Sequence, residues 1–118
     1  FNAGLSGIIP KKKSVLEGHH QKKVLGRKAP YLVVWAQMFR VLKGDRVQIQ
    51  ITGPNDNVIS SLETVIKKNQ ARRFLYSGKK RNNLYWPEGV YKGHISIRRP
   101  NEDGSEYVVM VNKKVFVH

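Results

Sequence analysis

The feature that most restricts the fold of this chain is an alternation of apolar and polar residues with a period of two. In 46–51, the apolar residues Val47, Ile49 and Ile51 alternate with polar ones. The stretch Gly89–Arg98 alternates in the same way. Successive side chains of a β-strand point to opposite faces, so this spacing predicts strands with one face in a core and the other in water.

Further strand-like segments follow one another from Tyr31 onward, separated by turn residues such as Gly53–Asn57 and Asn101–Gly104. None of them shows a helical period. Several short strands at this spacing are typical of a sandwich, so we predict an all-β, immunoglobulin-like antiparallel β-sandwich with a basic N-terminal arm. The additional predicted strands are Leu32–Phe39, Val58–Ile66, Gln70–Tyr76, Glu106–Asn112 and Val115–Val117.

Two aromatic residues have expected places in such a sandwich. Trp35, in an early strand, is predicted to be a core aromatic residue. Tyr91 lies in a Gly-x-Tyr-x-Gly setting at the start of a late strand, where a tyrosine often anchors the corner between strands. Ordinary core packing is the alternative for Tyr91.

Residues 1–30 differ in composition from the rest of the chain. They are rich in lysine, contain a single acid, Glu17, and are interrupted by glycine and proline. Such a segment buries too little apolar surface to offset its ordering entropy. We therefore predict a basic linker or arm at 1–30, with a short strand at Ser14–Leu16, and a β-sandwich domain at 31–118. An arm that contacts a polyanion is the alternative.

Charge is the strongest signal in the composition. The 118 residues suffice for one domain and carry 22 Lys plus Arg against 8 Asp plus Glu, a net charge of +14. Such a field attracts polyanions, although a merely soluble basic surface is the alternative. The absence of cysteine excludes disulfides and thiolate metal sites. No apolar run approaches the roughly 20 residues of a membrane-spanning helix, so we expect no membrane span.

The residue types of catalytic and metal sites occur here without the spacing that such sites need. His19 and His20 are adjacent, and His94 is predicted to face solvent on a strand. No H-x-H or H-E-x-x-H spacing is present, the acids lie mostly in turns, and no serine has the context of a nucleophile elbow. We therefore expect no enzymatic activity, no metal site and no cofactor in this chain.

The densest local charge lies between the predicted strands around Gln70–Gly93, where cations and aromatic residues are interleaved. Tyr85 and Trp86 are candidates for stacking on bases or sugar rings. Packing of Trp86 against the end of the sandwich, with solvated cations around it, is the alternative. If the segments are neighbours in space, the sequence predicts one anion-binding patch formed by Lys67, Lys68, Arg72, Arg73, Lys79, Lys80 and Arg81.

Several short motifs together resemble a known family. The motifs are Leu32–Ala36, Leu42–Arg46, Ile51–Pro54, Gln70–Phe74, Ser77–Arg81 and Trp86–Gly93. With these motifs, residues 31–99 are similar to the β-rich region that follows the catalytic domain in some proteobacterial lysostaphin-type (LytM-like) zinc endopeptidases, which cleave peptidoglycan cross-bridges.

The resemblance implies a role without chemistry. The family binds zinc through an H-x-x-x-D pair and an H-x-H motif, but Lys23, Val24 and Arg98 stand four residues after the histidines here. No catalytic or metal residue carries over. The resemblance therefore implies a non-catalytic accessory domain of a periplasmic or cell-envelope metallopeptidase-like protein, which positions the enzyme on an anionic cell-wall polymer or binds a protein partner.

An independent basic β domain that binds nucleic acid is the alternative. Its charge and aromatic residues favour it, whereas the sequence has no RNP-like motif and no OB-fold pattern.

Overall fold

The computed structural model of this protein describes residues 2–7 and 24–118. The described residues form β-strands joined by turns and loops. The strands are β1 (Asn2–Ser6), β2 (Val24–Leu25), β3 (Tyr31–Val41), β4 (Arg46–Thr52), β5 (Val58–Val65), β6 (Gln70–Lys80), β7 (Gly89–Pro100) and β8 (Glu106–Val117).

The strands form two sheets. One has three strands in the order β1-β3-β6, and the other has five in the order β2-β8-β7-β4-β5. Neighbouring strands run antiparallel except for the short parallel pair of β2 and β8. The two sheets pack face to face, which confirms the predicted all-β sandwich, and their strand order is compatible with the immunoglobulin-like arrangement.

The core lies between the two sheets and follows the predicted period of two. On β4, Val47, Ile49 and Ile51 are buried while the residues between them face the other side of the sheet. The buried residues of β4 belong to one core cluster with Ile95 of the neighbouring strand β7 and with Val34 of β3, which is in the other sheet. Burial of each such side chain contributes about 1.5–3 kcal/mol, so the alternating residues supply most of the force that holds the sheets together.

The first strand corrects the prediction for the N-terminal segment. Ala3 and Leu5 of β1 are buried in the core and pair in register with Ala36 and Val34 of β3. The predicted unordered arm is therefore wrong for β1 and for β2, which belong to the two sheets. The predicted strand at Ser14–Leu16 lies outside the described residues.

The largest differences from the predicted strand lengths are in β6 and β8. β6 does not end at Tyr76 but continues to Lys80, since Gly78 lets it approach β3 closely: a Cβ at that position would lie 2.6 Å from the Leu32 carbonyl oxygen. β8 is one strand rather than two, because β7 pairs with it along its whole length, including Asn112–Lys114.

Tyr91 has features of both roles considered for it, since it is fully buried in the core and is also bonded to the corner before β7. Its hydroxyl donates a hydrogen bond to the Pro87 carbonyl at 2.6 Å, and its ring meets Trp86 edge-on with centroids 6.5 Å apart. Burial raises the pKa of the Tyr91 hydroxyl, and the charge of Arg27 partly offsets this. The hydroxyl therefore stays protonated and acts as a donor that fixes the loop to the sheet.

The opposite end of the sandwich contains a buried ion pair. The Asp45 carboxylate is fully buried and accepts hydrogen bonds from Arg99 at 2.9 and 3.0 Å and from the Leu42 amide at 2.9 Å. Burial alone would raise the pKa of Asp45, but these hydrogen bonds and the charge of Arg99 outweigh it and hold the pKa below its ordinary value of 3.8. The ion pair thus fastens β7 to the β3–β4 connection.

Candidate functional site

The seven predicted anion-binding residues form two groups at opposite ends of β6. Lys67 and Lys68 lie in the loop before β6, and Arg72 and Arg73 are the third and fourth residues of that strand. Lys79, Lys80 and Arg81 lie at the far end of the same strand or just after it. Seven residues of strand, about 23 Å, separate Arg72 from Lys79. The prediction of a single patch is wrong because β6 extends to Lys80, beyond the predicted end at Tyr76, and so separates the two groups.

One group is completed by a segment that is distant in the sequence. The Arg81 amide donates to the Pro30 carbonyl at 2.8 Å, and the Trp86 amide donates to the Arg27 carbonyl at 2.8 Å. The Arg81 guanidinium also donates to the carbonyl of Lys28. These bonds hold the segment before β3 against the loop after β6. We call the resulting set the cationic end: Arg27, Lys28, Lys79, Lys80 and Arg81.

Tyr85 organises part of the cationic end. The guanidinium carbon of Arg27 lies 5.1 Å from the centre of its ring, and the ammonium nitrogen of Lys28 lies 5.6 Å from it. A cation over an aromatic ring is stabilised by the ring quadrupole, by about 0.5–1 kcal/mol at exposed sites. Tyr85 remains 45% exposed, so the two cations are positioned while their charge still faces solvent.

Trp86 is the other candidate stacking residue, and its surroundings favour the packing alternative. Its side chain is only 6% exposed, and its indole N–H donates to the Ala29 carbonyl at 2.8 Å. The Arg27 side chain donates to the Trp86 carbonyl at 3.2 Å. Trp86 therefore fastens the segment before β3 to the end of the sandwich and offers little ring surface to a ligand.

A cleft opens beside the cationic end. Its volume is about 360 Å³, and it lies between the β4–β5 turn and the loop that joins β6 to β7. The polar residues that line the cleft are Asn55, Asn57, Asn82, Asn83, Lys79 and Arg81, with Tyr85 at one side. Asparagine side-chain amides both donate and accept hydrogen bonds, so this lining suits a polar ligand that the nearby cations attract.

The second group forms a smaller basic surface at the other end of β6. Lys67, Lys68 and Arg73 line a groove of about 390 Å³. The Nε of Arg73 is buried and has no hydrogen-bond partner in the part of the chain that the structure describes. We call this set the second basic end: Lys67, Lys68, Arg72 and Arg73.

Neither basic end is neutralised by acids of the described chain. Within residues 2–7 and 24–118, the ion pairs are those of Arg98 with Glu106 at 3.4 Å and of Arg99 with Asp45. Neither pair involves a cation of the two ends. Their positive charge therefore remains available to an anionic ligand. The repulsion between the cations is small because water and salt screen exposed charges.

The histidine that the structure describes on a strand is held in a hydrogen-bond network. His94 lies on the outer face of the five-stranded sheet, as predicted, with its Nδ1 2.7 Å from the Asn112 side-chain oxygen and its Nε2 3.4 Å from the Thr52 hydroxyl. Among residues 2–7 and 24–118, no three His, Cys, Asp or Glu side chains converge as metal ligands would. His19 and His20 lie outside the described residues.

Comparisons with known proteins add no relative. The chain matches no family model. Searches of curated proteins and of solved structures likewise give no significant match. The resemblance to lysostaphin-type endopeptidases therefore has no support from these comparisons. In the described part of the chain, no helix has the length and apolar character needed to cross a membrane.

Proposed function

We propose that this chain is a non-catalytic β-sandwich module that binds a polyanionic polymer through its cationic end. The observation that carries the proposal is that two distant segments bring five cations to one end of the sandwich, where Lys79 and Arg81 line a cleft rich in amides. Packing alone does not require this arrangement, since most of these side chains are exposed and meet no described acid.

The physical basis is release of counterions. A polymer with closely spaced anionic groups holds a layer of bound cations, and a protein that neutralises several of those groups releases them. Binding through five cations therefore weakens steeply as salt increases. The hydrogen-bonding cleft next to the cations adds contacts that a simple charged surface lacks.

The resemblance supplies a setting for this activity. In that setting the chain is an accessory domain of a cell-envelope metallopeptidase-like protein in the periplasm or cell envelope. It holds the enzyme on an anionic cell-wall polymer, or on a protein partner, while another part of the protein performs the chemistry. No residue of this chain is assigned a catalytic role.

A basic domain that binds nucleic acid is the second candidate. It is favoured by one observation: Phe74 and Tyr76 lie on one face of β6 with ring centroids 6.1 Å apart, between the two basic ends. Aromatic rings flanked by cations are the usual platform for unpaired bases.

The test replaces exposed lysines and leaves the hydrogen-bonded arginines in place. Lys28→Gln, Lys79→Gln and Lys80→Gln are combined in one variant, and binding to an anionic cell-wall polymer and to DNA is measured at several salt concentrations. We expect weaker binding and a shallower dependence on salt, since each phosphate-like contact contributes roughly 0.7–0.9 to the log–log slope.

A control variant carries the same change in charge on the outer face of the five-stranded sheet: Arg46→Gln, Lys92→Gln and Lys114→Gln. We expect it to keep a steeper slope than the first variant. Equal losses in the two variants would show that net charge alone governs binding and would overturn the proposed site.

A further inference from the structure

The outer face of β6 carries a stripe in which cations enclose aromatic rings. Alternate residues of a strand share a face, and Leu75 on the other face packs against the core. Arg72, Phe74, Tyr76 and Lys80 therefore lie in one row on the face that points away from the core. We call this row the β6 stripe.

One ring of the stripe packs against a neighbour on the same face of the sheet. Trp35 of β3 lies next to Phe74, with centroids 6.4 Å apart and the ring planes tilted by 30°. Trp35 is fully buried, although it is on the outer face of its sheet and not among the core residues between the sheets. Phe74 is thereby fixed, whereas Tyr76, 44% exposed, still presents ring surface to solvent.

The position of β6 explains some of these residues but not all. β6 is an edge strand, hydrogen-bonded only to β3 among the described strands. Lysine and arginine on an edge strand discourage pairing with other chains, which accounts for the cations. Packing against Trp35 accounts for Phe74, but neither packing nor edge protection gives a reason for the exposed ring of Tyr76, because exposed aromatic residues promote such pairing.

The charge and the aromatic rings of the stripe together indicate the kind of ligand that it fits. β6 contains no acidic residue, and its ends join the cationic end to the second basic end. A duplex keeps its bases inside, so it cannot use the rings. An unpaired strand can place bases on Phe74 and Tyr76 while its phosphates meet the cations on either side.

We propose that the β6 stripe binds a single-stranded polynucleotide, with bases stacked on Phe74 and Tyr76 and phosphates paired with Arg72 and Lys80. The inference rests on the proposed polyanion binding and specifies its ligand and its path. Arg72 and Lys80 are eight residues apart, about 26 Å along the strand, so the ligand is an extended strand of several nucleotides.

The experiment measures binding of a 12-nucleotide oligothymidylate and of an abasic strand with the same number of phosphates. The variant Tyr76→Ser removes the exposed ring, and Tyr107→Ser, an exposed tyrosine on β8, is the matched control. We expect Tyr76→Ser to weaken binding of oligothymidylate about tenfold, as loss of one base stack does, and to leave binding of the abasic strand unchanged. We expect Tyr107→Ser to leave both unchanged.

The same measurements separate failure of the stripe from failure of the proposed function. If Tyr76→Ser binds oligothymidylate as the parent does while the lysine variant binds it weakly, the stripe is overturned and the cationic end stands. If neither variant is weakened, both are overturned. Equal affinity of the parent for the abasic strand and oligothymidylate, or tighter binding of an anionic cell-wall polymer, would also overturn the assignment to a single-stranded polynucleotide.

Discussion

The two ends of the sandwich differ in the surroundings of their cations. At one end, Arg99 meets the buried Asp45 carboxylate, and both oxygens of that carboxylate are engaged. At the other, Arg27 and Lys28 lie over the Tyr85 ring and form no ion pair with an acid of the described residues. A buried charge requires a partner because desolvation is costly, whereas exposed charges tolerate their neighbours. The first arrangement therefore serves the fold, and the second is free to serve a ligand.

The largest expected effect is at the buried ion pair. Asp45→Ala leaves the Leu42 amide and the partly exposed Arg99 guanidinium without their acceptor, so we expect a loss of about 2 kcal/mol in the free energy of unfolding, measured by urea denaturation. Asp103→Ala, in the exposed turn before β8, is the control and should cost much less, because water replaces the hydrogen bonds of an exposed carboxylate. A loss at Asp45 no larger than at Asp103 would break the comparison.

The same pair predicts how stability depends on pH. Because the folded pKa of Asp45 lies below the ordinary 3.8, its contribution is fully present above pH 3.8 and is lost as the pH falls through the folded value. In acid denaturation, Asp45→Asn should therefore lose less stability than the parent does below pH 3.8. If the stability of the two proteins fell equally with pH below 3.8, protonation of Asp45 would not be a cause of the loss.

Tyr91 offers a test of intermediate size beside the cationic end. Tyr91→Phe removes the donor to the Pro87 carbonyl and keeps the ring against Trp86, so we expect a loss of about 1 kcal/mol. Tyr107→Phe, whose ring is 57% exposed, should change the stability by a few tenths of a kcal/mol at most. A neutral Tyr91→Phe would mean that packing alone holds this corner.

The smallest effect on stability per residue replaced is expected at the cationic end itself. The combined replacement of Lys28, Lys79 and Lys80 by Gln should alter the free energy of unfolding by no more than about 0.5 kcal/mol per residue. It removes charge from a crowded positive surface, so the change should not be destabilising overall. A large loss in urea denaturation would mean that these lysines serve the fold, as Asp45 does.

The sequence predicts the sandwich because its central strands carry their own signal. Val47, Ile49 and Ile51 show the period of two within six residues, and the structure has them as predicted. β1 has only Ala3 and Leu5 as inward apolar residues, so its assignment depends on pairing with a strand that is distant in the sequence. No local pattern could reveal it.

The candidate site is less predictable for the same reason. The sequence locates Lys79, Lys80 and Arg81 as a dense local cluster, and the structure keeps these three together. It gives no sign that Arg27 and Lys28 complete this group, because the contacts between them are made by backbone bonds across more than fifty residues. The length of β6 separates the other predicted cations, and that length is set by pairing with β3.

Chemical-shift mapping tests the central claim most directly. Backbone amide spectra of the protein are recorded while a polyanion is added, with a 12-nucleotide oligothymidylate and an anionic cell-wall polymer as the two ligands. For the anionic cell-wall polymer we expect the largest shifts in 27–30 and 79–86, and for oligothymidylate we expect them in those ranges and along the β6 stripe, in 72–80. Shifts spread evenly over the surface, or concentrated on the outer face of the five-stranded sheet, would contradict it.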